Sequence, residues 1–344
     1  MMDPIQKYLI KNELTLKRYK RFKRDRVAVI SIWIMLAMFF FSFTAELWAN
    51  NRPHIMHYHG KTYYPLFVDY YPTTFGRDDM MVMDYRALEM DKSQGDWAVW
   101  PIIQWDPYES NKAVDTYPSP PTAQNWIGTD ESGRDVMTRL LYGFRYTMIF
   151  AFGAWMVTYL IGITIGALMG YMGGKTDLIG QRVVEVVEST PYLFVLITII
   201  AIFTPSLPLL IVFSALFGWT GISAYMRALF LSLRKREYVE AARAIGADHT
   251  RIISKHILPN ALTPIITFAP FAISANVYSL SILDYLGLGL RPPTPSWGEL
   301  MAQAQKWFTI AEWLVWGPLV AIVVTLILLN NIGTAVRDAF DAKM

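Results

Sequence analysis

The sequence predicts an all-α polytopic membrane protein with six transmembrane helices and a small insert between the first and second. Three observations predict it. Of 344 residues, 53% are hydrophobic and only 17% are charged, against about 25% charged in an average soluble domain. The apolar residues lie in long uncharged blocks rather than in the alternating faces of a soluble core. Basic residues concentrate on alternate connections between those blocks. This composition excludes a disordered chain, a collagen-like fibre and a nucleic-acid-binding basic protein. With no cysteine, disulfides, thiol catalysis and thiolate metal sites are excluded as well.

A helix needs about 20 apolar residues to cross the hydrocarbon core. Residues 27–49 form a 23-residue run interrupted only by Glu46, long enough to span with modest tilt. The basic tail before it and the length of the run predict an uncleaved anchor rather than a cleaved signal. Tyr146 to Gly174 carries no charge and predicts the second span. Ser189 to Thr204 is short, so the third span is expected to start earlier, in the polar-faced Leu178–Glu188 region. Leu207–Met226, Asn260–Leu283 and Trp313–Val336 are uncharged and complete the six.

Charge location predicts orientation. Residues 1–26 carry nine Lys/Arg against three acids, and 227–258 carry seven against three; the 50–145 segment carries nine against thirteen. The positive-inside rule places the first two regions in the cytoplasm and the third outside. The predicted organisation is a basic cytoplasmic tail (1–26), a first span (27–49), a periplasmic insert (50–145) ending in an interfacial amphipathic helix, a five-helix core (146–336) and a cytoplasmic C-terminus (337–344). The insert is rich in Tyr, Trp and Pro, and its extended stretches predict a small sheet, limited in size by the Pro spacing.

The most informative stretch is Glu237-Tyr-Val-Glu-Ala-Ala-Arg-Ala-Ile-Gly246, followed by Ala-Asp-His-Thr-Arg-Ile-Ile-Ser-Lys-His-Ile-Leu-Pro-Asn260. Good helix formers run to Gly246, which suits a left-handed cap. Asp248 can cap a second short helix, which Pro259 is expected to stop. Ala241, Ala242 and Ala244 leave a flank nearly bare for another protein to approach. From the residues alone, a docking surface and an ordinary basic loop explain the segment equally well.

Before the second span stands Asn125-Trp-Ile-Gly-Thr-Asp-Glu-Ser-Gly-Arg-Asp-Val-Met-Thr-Arg-Leu-Leu-Tyr-Gly143. Gly128 predicts a turn, and Thr129 or Asp130 a cap. Val136, Met137, Leu140, Leu141 and Phe144 make one apolar face, with Asp135 and Arg139 as an i,i+4 pair on the other. The residues predict a short amphipathic helix on the outer membrane surface, which a purely structural lead-in to the span would also provide.

Glu240-Ala241-Ala242-Arg243, then Gly246, then Leu258-Pro259 resembles the EAA loop of bacterial ABC importer permeases. The resemblance implies a coupling helix, within a loop at 231–259, that seats in a groove of a cytoplasmic ATPase. His256 stands where the general family pattern has Ile, a departure common in the peptide-transporting branch. The string Gly128-Thr129-Asp130, then Gly133-Arg134-Asp135, resembles a signature of the dipeptide, oligopeptide and nickel importer permeases, in the six-span subunit of each pair. The insert after the first span resembles the Yej-type branch, which imports oligopeptides and microcin C. The two motifs and the span spacing cover residues 120–340.

That resemblance implies a MetI-like permease core and no enzyme activity in this chain. It implies no resident cofactor or metal, ATP and magnesium being bound by partner subunits. Expected partners are a second permease subunit forming a heterodimer, two cytoplasmic ATPase domains, a periplasmic or lipid-anchored peptide-binding protein, the peptide cargo and membrane lipid, with no nucleic acid. A dipeptide or nickel-complex cargo is the alternative within the family. A secondary transporter would need ionisable groups or repeats at mid-bilayer, which the uncharged spans lack.

Several weaker features carry other readings. Gly162, Gly166 and Gly170 recur at i,i+4, favouring close packing inside the subunit over a lining of the translocation path. Pro264 and Pro270 predict a kink, static or hinging. Arg182, Glu185 and Glu188 are explained most simply as an intrahelical pair. His54, His57 and His59 lack the neighbouring carboxylates and fixed geometry of a metal site. Gly173-Gly174-Lys175-Thr176 is no phosphate loop, because Met169 stands where its first glycine is required.

Overall fold

The computed structural model describes residues 13–340; the first part of the predicted tail and the last residues of the predicted C-terminal segment lie outside them. The chain is mostly helical: α1 (Glu13–Arg24), α2 (Arg26–Phe43), α3 (Ala45–Trp48), α4 (Val136–Met172), α5 (Gly174–Ser189), α6 (Tyr192–Ile202), α7 (Leu207–Leu233), α8 (Glu237–Ala244), α9 (His249–Arg251), α10 (Leu258–Tyr285), α11 (Trp297–Lys306) and α12 (Trp313–Phe340). Among the described residues five helices are long and apolar enough to cross a membrane singly: α2, α4, α7, α12, and α9 to α10 taken as one. A sixth crossing is available if α5 and α6 form one broken span. At most 39% of any single span's most apolar window is buried within the chain, so lipid or another subunit must cover the remainder.

Several boundaries differ from the sequence reading: the first span ends at Phe43, the second helix begins at Val136 and the fourth runs on to Leu233. Two further differences have a clear local reason. The third span is not one straight helix: α5 and α6 meet at a 73° bend. Pro191 separates them, and Thr190 before it adopts extended backbone (φ −80°, ψ 123°), because proline lacks an N–H and crowds the preceding residue out of the helical region. Conversely, Pro259 does not stop its helix. A π-helical turn over Ile252–Ile257 carries α9 into α10, with Leu258 N–H donating to the Ile253 carbonyl. The widened turn absorbs a proline at the start of the next helix.

The described residues form two compact units, one of residues 36–146 with 292–321 and the other of residues 13–35, 147–291 and 322–340. In the first, β1 (Ile55–Tyr58) pairs antiparallel with β2 (Lys61–Tyr63) and with β3 (Trp97–Val99), giving the order β2-β1-β3. Met56 on the central strand is fully buried and anchors a cluster with Phe75, Met83, Tyr85 and Leu88. Near α3, Arg145 grips Glu46 through both guanidinium nitrogens, at 2.7 and 2.8 Å. The hydrogen bond from Arg145 holds the Glu46 carboxyl below its usual range.

In the second unit α4 lies against α7 along the glycine stripe. A Cβ at Gly162 would lie 2.6 Å from the Trp219 carbonyl oxygen, and at Gly166 and Gly170 it would press into the Ser223 and Arg227 carbonyls. Only glycine allows that approach, so the stripe packs the subunit internally. Arg182 and Glu185 pair within α5 at 2.5 Å and are exposed. His54 contacts the Leu47 carbonyl (2.9 Å) and His57 the Thr62 hydroxyl (3.1 Å), so these two rings have separate local partners.

Candidate functional site

Helix α8 follows α7 after a turn at Arg234–Arg236. Val239 and Ala242 are buried in the core of the second unit with Tyr171, Met226, Phe230, Ile252 and Ile257. The end of α8 is fixed by backbone geometry: Gly246 N–H donates to Arg243 O (3.0 Å), Ala247 N–H donates to Ala242 O (3.0 Å), and Gly246 has φ +84°. This is the Schellman arrangement, which a left-handed glycine permits. Asp248 then caps α9, accepting from Arg251 N–H at 2.9 Å. His249 Nδ1 meets the Tyr171 hydroxyl at 2.8 Å, and Arg234 donates to the Tyr171 carbonyl at 3.0 Å.

The other face is open. Glu237, Glu240, Ala241, Arg243, Ala244 and Gly246 are exposed, and Ile245 is 86% exposed. Among the described residues, Glu240 and Arg243 form no ion pair. A Cβ at Gly246 would meet nothing within 4 Å, so its φ alone restricts it. Of the residues read from the sequence, Glu240, Ala241, Arg243 and Gly246 are therefore presented together. Ala242 is turned inward, and Leu258 and Pro259 begin α10.

The second string is closed. Gly128 (φ +78°) leaves no room for a Cβ, which would lie 2.6 Å from the Ser119 carbonyl; at Gly133 (φ +78°) it would sit 2.5 Å from the Tyr117 ring. Thr129 exchanges bonds with Ser119, N–H to carbonyl at 2.9 Å and side chain to Ser119 N–H at 2.8 Å. Asp130 accepts from the backbone of Ser132 and Arg134, both at 2.9 Å, and from Arg134 Nε at 2.7 Å. Arg134 reaches Glu299 at 3.0 Å. Arg139 also pairs with Glu299, lies 3.3 Å from Asp130 and donates to the carbonyls of Pro107 and Pro293. Two acids and two arginines thus neutralise one another in a largely buried cluster, where losing one partner strands the rest.

The expected surface helix and its Asp135–Arg139 pair are corrected here. No residue from Gly133 to Met148 is exposed, and the segment forms the first turns of α4 rather than a separate helix. Arg139 is drawn to Glu299. Asp135 instead accepts from Thr138 N–H at 2.7 Å and from Asn125 at 2.9 Å, while Asn125 accepts from Asn111 at 2.7 Å. Burial pushes the Asp135 carboxyl up, against the hydrogen bonds from Asn125 and Thr138. Burial also raises Glu131, but hydrogen bonds from Lys306 and Trp307 outweigh it and hold the group below its usual range.

The sequence reading missed Glu299, Trp297, whose indole donates to the Leu140 carbonyl at 3.0 Å, and Gln303, which accepts from Glu131 N–H at 3.1 Å. The signal was present in Ser296-Trp-Gly-Glu299, a capping-box spelling, and Ser296 does cap α11 by accepting from Glu299 N–H. The destination of the Glu299 carboxylate had no local signal.

Two family models match. The one described as binding-protein-dependent transport system inner membrane component covers residues 162–344. The N-terminal TM domain of oligopeptide transport permease C matches residues 17–72. The inner membrane ABC transporter permease protein YejE of Escherichia coli K12 is 38% identical over 94% of this chain and 96% of its own length.

The chain belongs to the binding-protein-dependent inner membrane permeases.

Other proteins are similar. The peptidoglycan transport system permease protein YejE of Agrobacterium fabrum is 36% identical, covering 96% of this chain and 93% of its own. The dipeptide transport system permease protein DppC of Bacillus subtilis is 36% identical over 65% of this chain and 71% of its own. A chain of the methionine ABC transporter MetNI, solved in inward-facing conformations, aligns at TM-score 0.48 and 19% identity, over 60% of this chain and 97% of that one. Family membership and the apolar helices make this permease a multi-pass inner membrane protein.

Proposed function

We propose that this permease subunit imports short peptides across the inner membrane, paired with a second permease and driven by cytoplasmic ATPases that grip α8. The observation that carries the coupling role is the two-sided character of α8: Val239 and Ala242 are locked into the core while Glu240, Ala241, Arg243 and Ile245 stand bare. An exposed apolar side chain between small residues and charges, on a rigid base, suits a protein partner. The peptide cargo is supported by relatives named for dipeptide, oligopeptide and peptidoglycan transport. The charge asymmetry supports α8 facing the cytoplasm and the 50–145 insert facing the periplasm, where a peptide-loaded binding protein docks.

In this reading, ATP and magnesium belong to the partner ATPases, and no residue of this chain performs chemistry. ATP binding closes the ATPases and carries α8 with them. The spans rock, the path opens outward to the binding protein, and hydrolysis resets it. The test is uptake of a labelled tripeptide by cells carrying Gly246→Asp or Glu240→Ala. Uptake is lost in Gly246→Asp and falls about tenfold or more in Glu240→Ala, and the ATPase co-purifies less, while membrane insertion is retained. Normal uptake in both variants would refute the coupling role.

A further inference from the structure

Where α1 meets the first turns of α10 and the last turn of α12, within the second unit, an apolar groove of about 570 Å³ stands open. The transport cycle above does not use it. Tyr19 and Phe22 of α1 line it, with Leu262 and Ile266 of α10 and Phe340 of α12. Leu262 and Ile266 are each 43% exposed, so the chain itself leaves this face uncovered. Both α10 and α12 belong to membrane spans, and Asp25 alone separates α1 from the span α2. The groove therefore sits where spans enter the membrane, and an amphipathic helix at that level lies among headgroups and acyl chains.

The charge at the groove wall is positive. Helix α1 carries Lys17, Arg18, Lys20, Arg21, Lys23 and Arg24 against a single acid, Glu13. Arg18 stands in the wall itself, its guanidinium 4.2 Å from the centre of the Phe340 ring. The ring orients the cation and leaves its charge uncompensated. Among the described residues no carboxylate pairs with Arg18, nor with Arg21 three residues on, which is exposed. The acids closest in sequence are engaged or misplaced. Asp25 accepts from the Ala28 N–H at 3.1 Å, and Asp338 lies 4.0 Å from Arg337. Glu13 falls on the side of α1 opposite Phe22.

The positive-inside rule accounts for the number of basic residues here. It does not account for an arginine without a counterion on the wall of an apolar groove. A basic pocket between helix ends at the membrane surface suits an anionic lipid headgroup. A phospholipid of that kind brings the acyl chain and the phosphate in one molecule, whereas an acidic protein surface answers only the arginines.

We propose that this groove seats one acyl chain of an anionic phospholipid from the adjoining leaflet, with Arg18 and Arg21 holding its phosphate. That leaflet is the cytoplasmic one on the orientation reading above; the site itself does not depend on which leaflet it is.

The test is titration of the full-length protein in neutral detergent with phosphatidylglycerol and with phosphatidylcholine of identical chains, read by thermophoresis. Phosphatidylglycerol binds about tenfold or more tightly than phosphatidylcholine. Arg18→Gln and Arg21→Gln each weaken phosphatidylglycerol about fivefold, the worth of one basic side chain at an anionic surface, and leave phosphatidylcholine unchanged. Arg21 is exposed, so its variant keeps the melting midpoint and the result does not depend on Arg18→Gln folding normally. Leu262→Trp, which fills the groove, weakens both lipids. Equal affinity for the two lipids, or a preference unchanged in both arginine variants, would overturn the site. Inorganic phosphate is the third titrant. If it binds as tightly as phosphatidylglycerol and Leu262→Trp has no effect, the arginines form a free-anion site and the lipid is overturned. Release of bound phosphatidylglycerol on adding the second permease and the ATPases would make the groove a protein interface and overturn it equally.

Discussion

The two sequence strings that stand out in this permease behave in opposite ways once folded. From Gly128 to Arg139 most polar side chains are used up inside the chain: Asp130, Arg134, Arg139 and Glu299 close a largely buried ionic joint. From Glu237 to Gly246 only Val239 and Ala242 are consumed, and the remainder is left standing in solvent. The first string satisfies itself; the second leaves most of its side chains without contacts inside the chain. A motif's chemistry alone does not separate these cases, since both strings mix glycine, acid and arginine. Burial does.

The sharpest way to break the comparison is Arg139→Met. It leaves Glu299 and Asp130 with less than their countercharge and costs about 3–5 kcal/mol, read as a collapse of the melting midpoint in detergent. If the protein melts normally, the joint is not structural. The glycines sharpen it next. Gly133→Ala meets both a left-handed φ and the Tyr117 ring and costs about 2 kcal/mol or more. Gly246→Ala, with the same sign of φ but open space around it, costs about 1 kcal/mol. Equal losses in a thermal melt would deny the distinction between closed and open strings.

Glu240→Ala should change stability by no more than about 0.5 kcal/mol, while uptake falls about tenfold or more, the scale of a lost interface anchor. The smallest effect is in pH. Glu46 has its folded-state pKa depressed by Arg145, so its contribution is present above the unfolded carboxylate pKa and fades as pH falls through the depressed value. Acid melts of wild type and Glu46→Gln should therefore differ at neutral pH and converge below the ordinary carboxylate range.

Much of this was legible because its causes are local. Uncharged runs such as Tyr146–Gly174 have to be helical in a bilayer, and Gly246 announced its own left-handed cap. The glycine stripe of α4 could be read from spacing alone. What failed was whatever depended on distant or competing partners. Arg139 looked like a match for Asp135 because i,i+4 counts only neighbours, whereas Glu299 arrives 160 residues later. Pro259 looked like a stop because a π turn that could absorb it leaves no mark in composition. Pro191 was passed over inside a run whose hydropathy hid the break.

The stripe at Gly162, Gly166 and Gly170 has a mechanical meaning. Where side chains interdigitate, two helices can creep past each other by changing rotamers. Where backbone rests on backbone there is no such compliance, and sliding would drive Cα atoms into carbonyls. Over this length α4 and α7 form one stiff beam, and α8 is attached to its end after three residues of turn. A displacement applied at α8 enters two helices at once and travels their shared length without slack.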